Sequence, residues 1–354
     1  MIMSTREKVL QRLTEAKGQA LSGEELAADF KVSRAAIWKA VKALRDQGIS
    51  IEGTTNGGYI LSDSDIFDGD LLRKTFSSRF PDFSDSHIEC LKEIDSTINY
   101  AKRLLAQAEA AKKYHRGIIL AEKQTAGRGR LGRTFVSPEK SGIYLSLIYS
   151  PEGGIKNPAE LTAFAAVGVC RAIKKLYGLS PDIKWINDLF ADGKKICGIL
   201  TEGITNFESG MIESAIVGIG INLKHNKAMD EAGLQNIAGS IEDVLGKGEG
   251  SEKTAPSSLN RIDLAAEVAG QVLSIFENNS PEAKARVMKE YRDASFLLGR
   301  EITVFPLIGD VTKSYKAIAS AIDDNAGLVV TLPDGSTRTL SSGEVSLKSE
   351  NLTS

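Results

Sequence analysis

The sequence predicts an α+β protein of more than one domain: a small N-terminal helical domain, a large central α/β domain and a small C-terminal β-barrel. Three observations carry that expectation. The 354 residues exceed a typical single domain. Residues 1–61 are rich in helix formers and end in the turn-prone run Thr54-Thr55-Asn56-Gly57-Gly58-Tyr59, followed by a polar linker, Ser62-Asp63-Ser64-Asp65. Apolar strand-like runs then alternate with helical periods over 67–298, whereas 299–354 hold short β-runs divided by turns.

Composition narrows the classes of function. Hydrophobic residues make up 42% and charged residues 25%, the balance of a soluble globular chain with a core of normal size. With a formal net charge of -2, any nucleic-acid contact has to come from a local patch. Met1 to Leu10 is charged and amphipathic, without the apolar centre of a signal peptide, and no apolar run is long enough to span a bilayer. The expected setting is cytoplasmic, without a membrane partner. Cys90, Cys170 and Cys197 are unclustered, which fits reduced thiols and offers no CxxC pair for zinc. His87, His115 and His225 are equally scattered, so no histidine metal site or triad is expected.

The first segment has the pattern of a DNA reader. Ser22-Gly23-Glu24-Glu25 has the spacing in which a hydroxyl and a carboxylate cap each other's backbone N–H groups, and it opens a short helix, Glu24 to Phe30. After the turn Lys31-Val32, Ser33 is placed to cap a second helix, whose Ile37, Val41 and Leu44 share one face and point to the core. The opposite stripe holds Arg34, Trp38, Lys42 and Arg45, with Lys39 beside it. From Lys31 to Arg45 the basic residues have no acid among them, which is unusual in a chain of negative net charge. A basic helix after a short helix and a tight turn suits a major groove, with its first residues meeting base edges and its lysines meeting phosphates. Ile51 to Leu61, bending at Gly57-Gly58, adds a β-wing. Ser33, Arg34, Ala35, Trp38, Lys39 and Lys42 are therefore the candidate DNA contacts. The bland alternative is a helical domain with a solvated basic face, and Trp38 by itself fits packing at the helix edge equally well.

In the central segment Gly117 to Ala121 and Ile143 to Ile148 read as strands and Pro158 to Leu176 as a helix, while Gly246 to Ser258 reads as a mobile excursion. The most specific feature is Gly127-Arg128-Gly129-Arg130-Leu131-Gly132-Arg133, preceded by Gln124-Thr125-Ala126. Glycines alternating with arginines let a loop bend around an anion and set guanidinium groups on it. The loop lacks the Gly-Lys-Ser/Thr ending of a P-loop, so an ordinary NTPase fits poorly. A flexible or RNA-binding segment remains open on composition alone. Lys184-Trp185-Ile186-Asn187-Asp188 leads through the turn Asp192-Gly193 to Lys194-Lys195-Ile196-Cys197-Gly198-Ile199-Leu200, a hairpin with Asp188 and a lysine near its two limbs. Lysine there neutralises phosphate, and the carboxylate assists an amine or magnesium. A merely solvated hairpin is the alternative. Gly218-Ile219-Gly220-Ile221-Asn222 ends another strand, but Leu223 breaks the dinucleotide-binding fingerprint. Beyond residue 299, Ile302 to Phe305, Leu328 to Leu332 and Val345 to Leu347 are the strands of the small barrel.

Together these pieces resemble one family, the biotin–protein ligases in their repressor class. Gly127 to Arg133 is similar to that family's Gly-Arg-Gly-Arg-x-Gly-Arg motif, Lys184 to Asp188 to Lys-Trp-Pro-Asn-Asp, and Lys194 to Leu200 to the Arg-Lys-x-x-Gly-Ile-Leu strand. Asp95-Ser96-Thr97 resembles its Asp-Ser-Thr at a helix start. Ser33 to Lys39 and Gly57-Gly58-Tyr59 resemble the winged helix of the bifunctional repressors, and Gly343-Glu344-Val345-Ser346-Leu347 extends the likeness to the C-terminus. The resemblance implies a winged helix-turn-helix over 1–61, a catalytic domain with a mixed sheet over 67–298, and an SH3-like barrel over 299–354.

It further implies that Ser96, Thr97, Gln124, Arg128, Gly129, Arg130 and Lys195 hold biotin. Arg128, Arg130, Arg133, Lys195, Asn187 and Asn222 would hold ATP or the adenylate, and Arg130, Lys195 and Asp188 would serve catalysis. Two departures stand out: Ile98 where many relatives have Asn, and Ile186 where the motif has Pro. The implied activity forms biotinyl-5′-AMP from biotin and ATP with Mg²⁺, then biotinylates a lysine of a biotin carboxyl carrier domain. The implied regulation is a biotinyl-AMP-dependent homodimer on operator DNA. The rivals are a ligand-sensing repressor with an inactive enzyme domain, a ligase for another acyl acid such as lipoate, and a monofunctional ligase with a vestigial N-domain.

Overall fold

The computed structural model describes residues 3–16, 19–46, 49, 51–54, 57–61, 65–107, 109–206, 209–246, 259–278, 280–305 and 314–347. Thr55 and Asn56 of the expected turn, Ser62 to Ser64 of the linker, and 247–258 of the Gly/Ser-rich excursion lie outside these residues. The chain divides into two compact units, Met1–Ile66 and Phe67–Ser354.

The first unit is built from α1 (Thr5–Glu15), α2 (Gly23–Phe30), α3 (Arg34–Asp46), β1 (Ile51–Thr54) and β2 (Gly58–Leu61). The expected capping box opens α2: Glu24 N–H donates to Ser22 Oγ at 3.1 Å, and Ser22 N–H donates to the Glu25 carboxylate at 3.2 Å. Lys31 ends α2 with a left-handed turn, and Ser33 Oγ accepts from Ala36 N–H at 3.2 Å to start α3. These caps satisfy N–H groups that a helix end leaves without intrahelical partners. Ile37, Val41 and Leu44 are buried with Val9, Leu13 and Leu26, so the apolar stripe of α3 is the inner face. β1 and β2 pair antiparallel from Ile51↔Leu61 to Thr54↔Gly58, which is the expected wing. One member of the basic stripe is corrected. Arg45 donates from Nε to the Ile51 carbonyl at 2.8 Å, so it fastens the wing to α3.

The second unit centres on a seven-stranded mixed sheet. Its strands are β3 (Ile88–Ile94), β4 (Gly117–Gln124), β5 (Gly142–Tyr149), β6 (Asp182–Lys184), β7 (Asp188–Ala191), β8 (Lys194–Thr205) and β9 (Ile212–Asn222), in the order β3-β4-β5-β9-β8-β7-β6. β3 and β4 run parallel, and every other neighbouring pair is antiparallel. The helices are α4 (Gly69–Arg79), α5 (Thr97–Leu105), α6 (Ala110–Lys113), α7 (Pro158–Tyr177), α8 (Lys227–Glu231), α9 (Ile241–Gly246), α10 (Arg261–Glu277) and α11 (Pro281–Asp293).

The unbroken apolar runs of β4 and β5 are explained by burial on both faces. Ile118 and Leu120 of β4 join the core made with α7 and α10, while Ile119 joins a smaller cluster with Ile98, Ala101 and Leu104 of α5. Truncating a core residue such as Leu273 or Phe276, both almost fully buried, costs about 2–5 kcal/mol. α7 and α10 pack on one side of the sheet, and α5 with the short α6 on the other. The site lies on the α5 side.

β10 (Glu301–Phe305), β11 (Tyr315–Ile322), β12 (Leu328–Thr331), β13 (Thr337–Leu340) and β14 (Glu344–Leu347) form an antiparallel sheet in the order β13-β12-β11-β10-β14. Ile302, Val304, Val330 and Val345 belong to the same apolar core as the large sheet. The C-terminal strands thus have their own sheet without forming a compact unit apart, because strands this short bury too little surface alone. Trp185 Nε1 donates to the Ala326 carbonyl at 2.8 Å and joins the two sheets. The Trp185–Ile186 peptide is cis. No described helix is long and apolar enough to cross a membrane.

Candidate functional site

An open cavity, spanning about 450 Å³ with the solvent at its mouth included, lies where the start of α5, the end of β4, the Gly/Arg loop and strands β8 and β9 meet. Of the candidate ligand residues, Ser96, Thr97, Gln124, Arg128, Gly129, Arg130, Asn187 and Lys195 line it, and Asp188, Arg133 and Asn222 do not. Positions far apart in the chain converge because the mixed sheet sets β4 only one strand, β5, away from β9, with β8 next.

One wall is a closed hydrogen-bond system. Gln124 Oε1 accepts from the Thr97 N–H at 2.9 Å, completing the first turn of α5, and from Thr97 Oγ1 at 3.2 Å. Ser146 Oγ donates to Thr97 Oγ1 at 2.8 Å, and Gln124 Nε2 donates to Ser137 Oγ at 2.9 Å. Ser96 differs: its hydroxyl is buried and has no partner among the described residues. A buried hydroxyl without a partner is costly, and this one borders the cavity.

The floor is apolar. A methyl placed on Gly218 would lie 2.5 Å from Ile98 Cδ1, and one on Gly220 would lie 2.5 Å from the Phe135 ring. The two glycines therefore let Ile98 and Phe135 pack directly onto β9. Ile98 is buried in the α5 cluster and offers no polar contact, and Asn99 beside it accepts from Arg128 at 3.3 Å. Tyr144 also lines the cavity. Burial pushes its phenol up to about 12, and the hydroxyl donates to the Pro138 carbonyl at 2.8 Å, so Tyr144 is a neutral wall and not an acid–base group.

The charged rim distinguishes the three arginines. Arg128 pairs with Glu202 at 2.9 Å, and Glu202 also holds Lys102 at 2.8 Å. Arg130 donates from Nη1 to Asn187 Oδ1 at 2.8 Å and from Nη2 to the Gly343 carbonyl at 3.2 Å. Arg133 is largely exposed and meets Glu344 at 2.7 Å. Asn187 Nδ2 donates to Asp188 Oδ1 at 2.9 Å, and that oxygen meets Lys195 Nζ at 2.7 Å. An unbroken chain, Arg130–Asn187–Asp188–Lys195, therefore sets two cations on one cavity. Asp188 orients Lys195 without lining the cavity. Lys184, further back, is pulled below its ordinary value by burial, opposed by Asp188 and Glu344.

The loop is shaped by close approach: a methyl on Gly127 would lie 2.2 Å from the Phe135 carbonyl oxygen. Asn222 donates to the Gly239 carbonyl at 3.1 Å. It holds the segment whose Ile237 and Gly239 exchange backbone hydrogen bonds with Lys195 at 2.9 and 3.0 Å. Asn222 thus supports Lys195 and does not itself line the cavity. Sequence reading missed Glu202 and the apolar floor. Its one available signal for Glu202 was that β8 contains no other acid.

On α3, Ser33, Arg34, Ala35, Trp38, Lys39 and Lys42 are exposed, and Ser33 is also the helix cap. Trp38 is 53% exposed, which removes the packed-edge reading. Lys42 Nζ stands 5.6 Å from the centre of its ring.

Residues 91–222 match the biotin/lipoate A/B protein ligase family, and residues 5–60 match a helix-turn-helix domain. The bifunctional ligase/repressor BirA of Bacillus spizizenii is 33% identical over 254 residues, spanning 70% of this chain and 74% of that protein. BirA of Salmonella typhimurium is 28% identical over 335 residues, 94% of this chain and 95% of that protein. The solved structure of biotin protein ligase from Aquifex aeolicus in complex with biotin and ATP shares the fold, with a TM-score of 0.54 at 24% identity over 74% of this chain and 98% of that one.

Proposed function

Because this chain belongs to the family of bifunctional biotin–protein ligases and repressors, we propose that it adenylates biotin, passes the biotinyl group to a carrier lysine, and represses biotin genes when the adenylate accumulates. The observation that carries the enzymatic half is the chain Arg130–Asn187–Asp188–Lys195 on a cavity with an unpartnered serine hydroxyl. The floor suits an apolar ring, the Ser96 hydroxyl suits the ureido group, and the cations suit a carboxylate and a phosphate.

In the first step a biotin carboxylate oxygen bonds to the α-phosphorus of ATP as the bond to the β-phosphate oxygen breaks, releasing pyrophosphate. Two anions approach, so Arg130 and Lys195 lower the barrier by neutralising charge that concentrates in the transition state. Arg130 brings a charge that no described carboxylate answers, since both of its hydrogen-bond partners, Asn187 and Gly343, are uncharged. Magnesium bound with ATP would add further positive charge to the site. No three described His, Cys, Asp or Glu side chains converge on a metal position, and the Asp188 carboxylate is engaged by Lys195 and Asn187. In the second step the neutral amine of a lysine on a biotin carboxyl carrier domain attacks the acyl carbon, and AMP leaves. The protein supplies no covalent nucleophile. Closure of the Gly/Arg loop over the anhydride keeps water out.

The modules we assign are 1–61 for DNA, 67–298 for chemistry and 299–354 for support, in a cytoplasmic protein. Biotinyl-AMP acts as corepressor by favouring a homodimer that sets two winged helices on a two-fold operator, which requires tighter binding to the dimeric state. Incubation with ATP and radiolabelled biotin, followed by gel filtration, tests the enzyme: protein-bound biotinyl-AMP is expected. Exchange of pyrophosphate supported by lipoate and not by biotin would establish the other acid, and no exchange with either would leave a sensor. An operator shift and a doubled mass, both requiring biotin with ATP, test the repressor.

A further inference from the structure

We propose that Trp38, with Ala35 one turn before it, is an apolar reader of thymine methyl groups in the major groove. The inference rests on the DNA-reading assignment of α3 and names the base chemistry that this helix recognises. Single exposed apolar side chains are ordinary, and Met211 and Ile318 are others among the described residues. Trp38 differs in its surroundings. It stands 53% exposed at the centre of a face whose other members are Arg34 one turn before, Lys42 one turn after and Lys39 beside it. Arg34, Lys39 and Lys42 have no carboxylate partner among the described residues, and no acid lies between Lys31 and Arg45. That charge is complementary to a phosphate backbone and opposes docking on a basic or apolar protein surface.

Geometry sets what the indole meets. Ile37, Ala40, Val41 and Leu44 fill the inner face of α3, and Trp38 projects to solvent from the exposed flank of that stripe. The Lys42 ammonium, 5.6 Å from the ring centre, holds the indole along the helix by attraction to the π face. An exposed alanine at i−3 extends the apolar surface toward the helix N-terminus, the end that meets base edges. An indole and a methyl offer no acceptor to cytosine or adenine amino groups and no donor where the indole edge is turned away. The C5 methyl of thymine is the apolar feature that the major groove displays.

The test uses the full-length protein with biotin and ATP and a duplex selected by it from a random pool. Each thymine is replaced singly by deoxyuracil, which removes only the methyl. The wild type is expected to lose about five- to tenfold in affinity at one or two positions. Trp38→Ala should bind the parent duplex about tenfold more weakly and be indifferent to the same replacements, which is the coupling expected of a direct contact. Its salt dependence should be unchanged, because no cation is removed. Trp38→Phe should keep most of the discrimination. The chain has two tryptophans and Trp185 is buried, so acrylamide quenching should report Trp38 and fall when the duplex is added. Wild-type indifference to every methyl, or undiminished methyl discrimination in Trp38→Ala, overturns the inference while salt-dependent binding upholds DNA reading. Absence of any salt-dependent binding by the wild type removes both.

Discussion

The exposed face of α3 and the Gly/Arg loop are both cationic, and they treat their charges in opposite ways. On α3, Arg34, Lys39 and Lys42 have no described carboxylate partner, and only Arg45 is committed, to the wing carbonyl of Ile51. In the loop every arginine is bonded: Arg128 to Glu202, Arg130 to Asn187 and Gly343, and Arg133 to Glu344. A polyanion of repeating charge is met by mobile, uncompensated cations that release counterions, with little need for fixed geometry. A small ligand with one reacting phosphorus needs cations held in place before it arrives, since their reorganisation would add to the barrier. Density of arginine and lysine is therefore a poor guide to role. What each guanidinium is bonded to separates the two kinds of site.

The largest effect should come from separating the regions altogether. Deleting residues 1–61 should abolish operator binding in a gel shift and leave biotinyl-AMP formation in place, because every residue assigned to chemistry lies in the second unit. Loss of both activities would show that the contrast between them is not modular.

Next comes Lys195→Ala, which should slow single-turnover adenylation by about a hundredfold or more while changing biotin affinity far less. Equal losses in rate and in binding would mean that Lys195 serves the ground state only. Arg130→Ala should follow, speeding adenylate dissociation by about tenfold to a hundredfold, since a charged hydrogen bond contributes roughly 1.5–3 kcal/mol. Arg128→Ala should cost less, because its charge is already matched by Glu202. Stopped-flow release of the adenylate from both variants compares them, and a larger effect at Arg128 would reverse the electrostatic assignment.

On α3 the effects are smaller and differ in kind. Lys42→Ala should weaken all duplexes alike and lower the salt slope by about one. Arg34→Ala, in the first turn, should flatten sequence preference. Wild-type titrations from both variants would reduce the basic stripe to a solvated face. The smallest change is expected at Arg133→Ala, whose exposed pair with Glu344 should contribute about 1 kcal/mol or less to the thermal unfolding free energy.

Local physics was legible in the residues themselves. The Ser22–Glu25 capping box, the Ser33 cap, the apolar stripe of α3, the doubly buried runs of β4 and β5, and the hairpin turning at Asp192-Gly193 each depend on groups a few positions apart. Backbone N–H satisfaction and the periods of helix and strand act over that range, so order along the chain suffices to read them. The family resemblance then placed eight of the ligand candidates, which the fold brings to one cavity.

Only the tertiary structure decided which charge answers which. Arg128 and Glu202 are 74 positions apart, and Arg130 and the Gly343 carbonyl are 213 apart. The same holds for the floor, where Gly218 passes under Ile98, and for the bond from Asn222 to the Gly239 carbonyl. It holds too for the C-terminal strands, which join the core of the large sheet because they are too short to enclose one. An ion pair or a close approach depends on distance in space, and in a mixed sheet whose strand order departs from chain order, position in the sequence does not carry that distance.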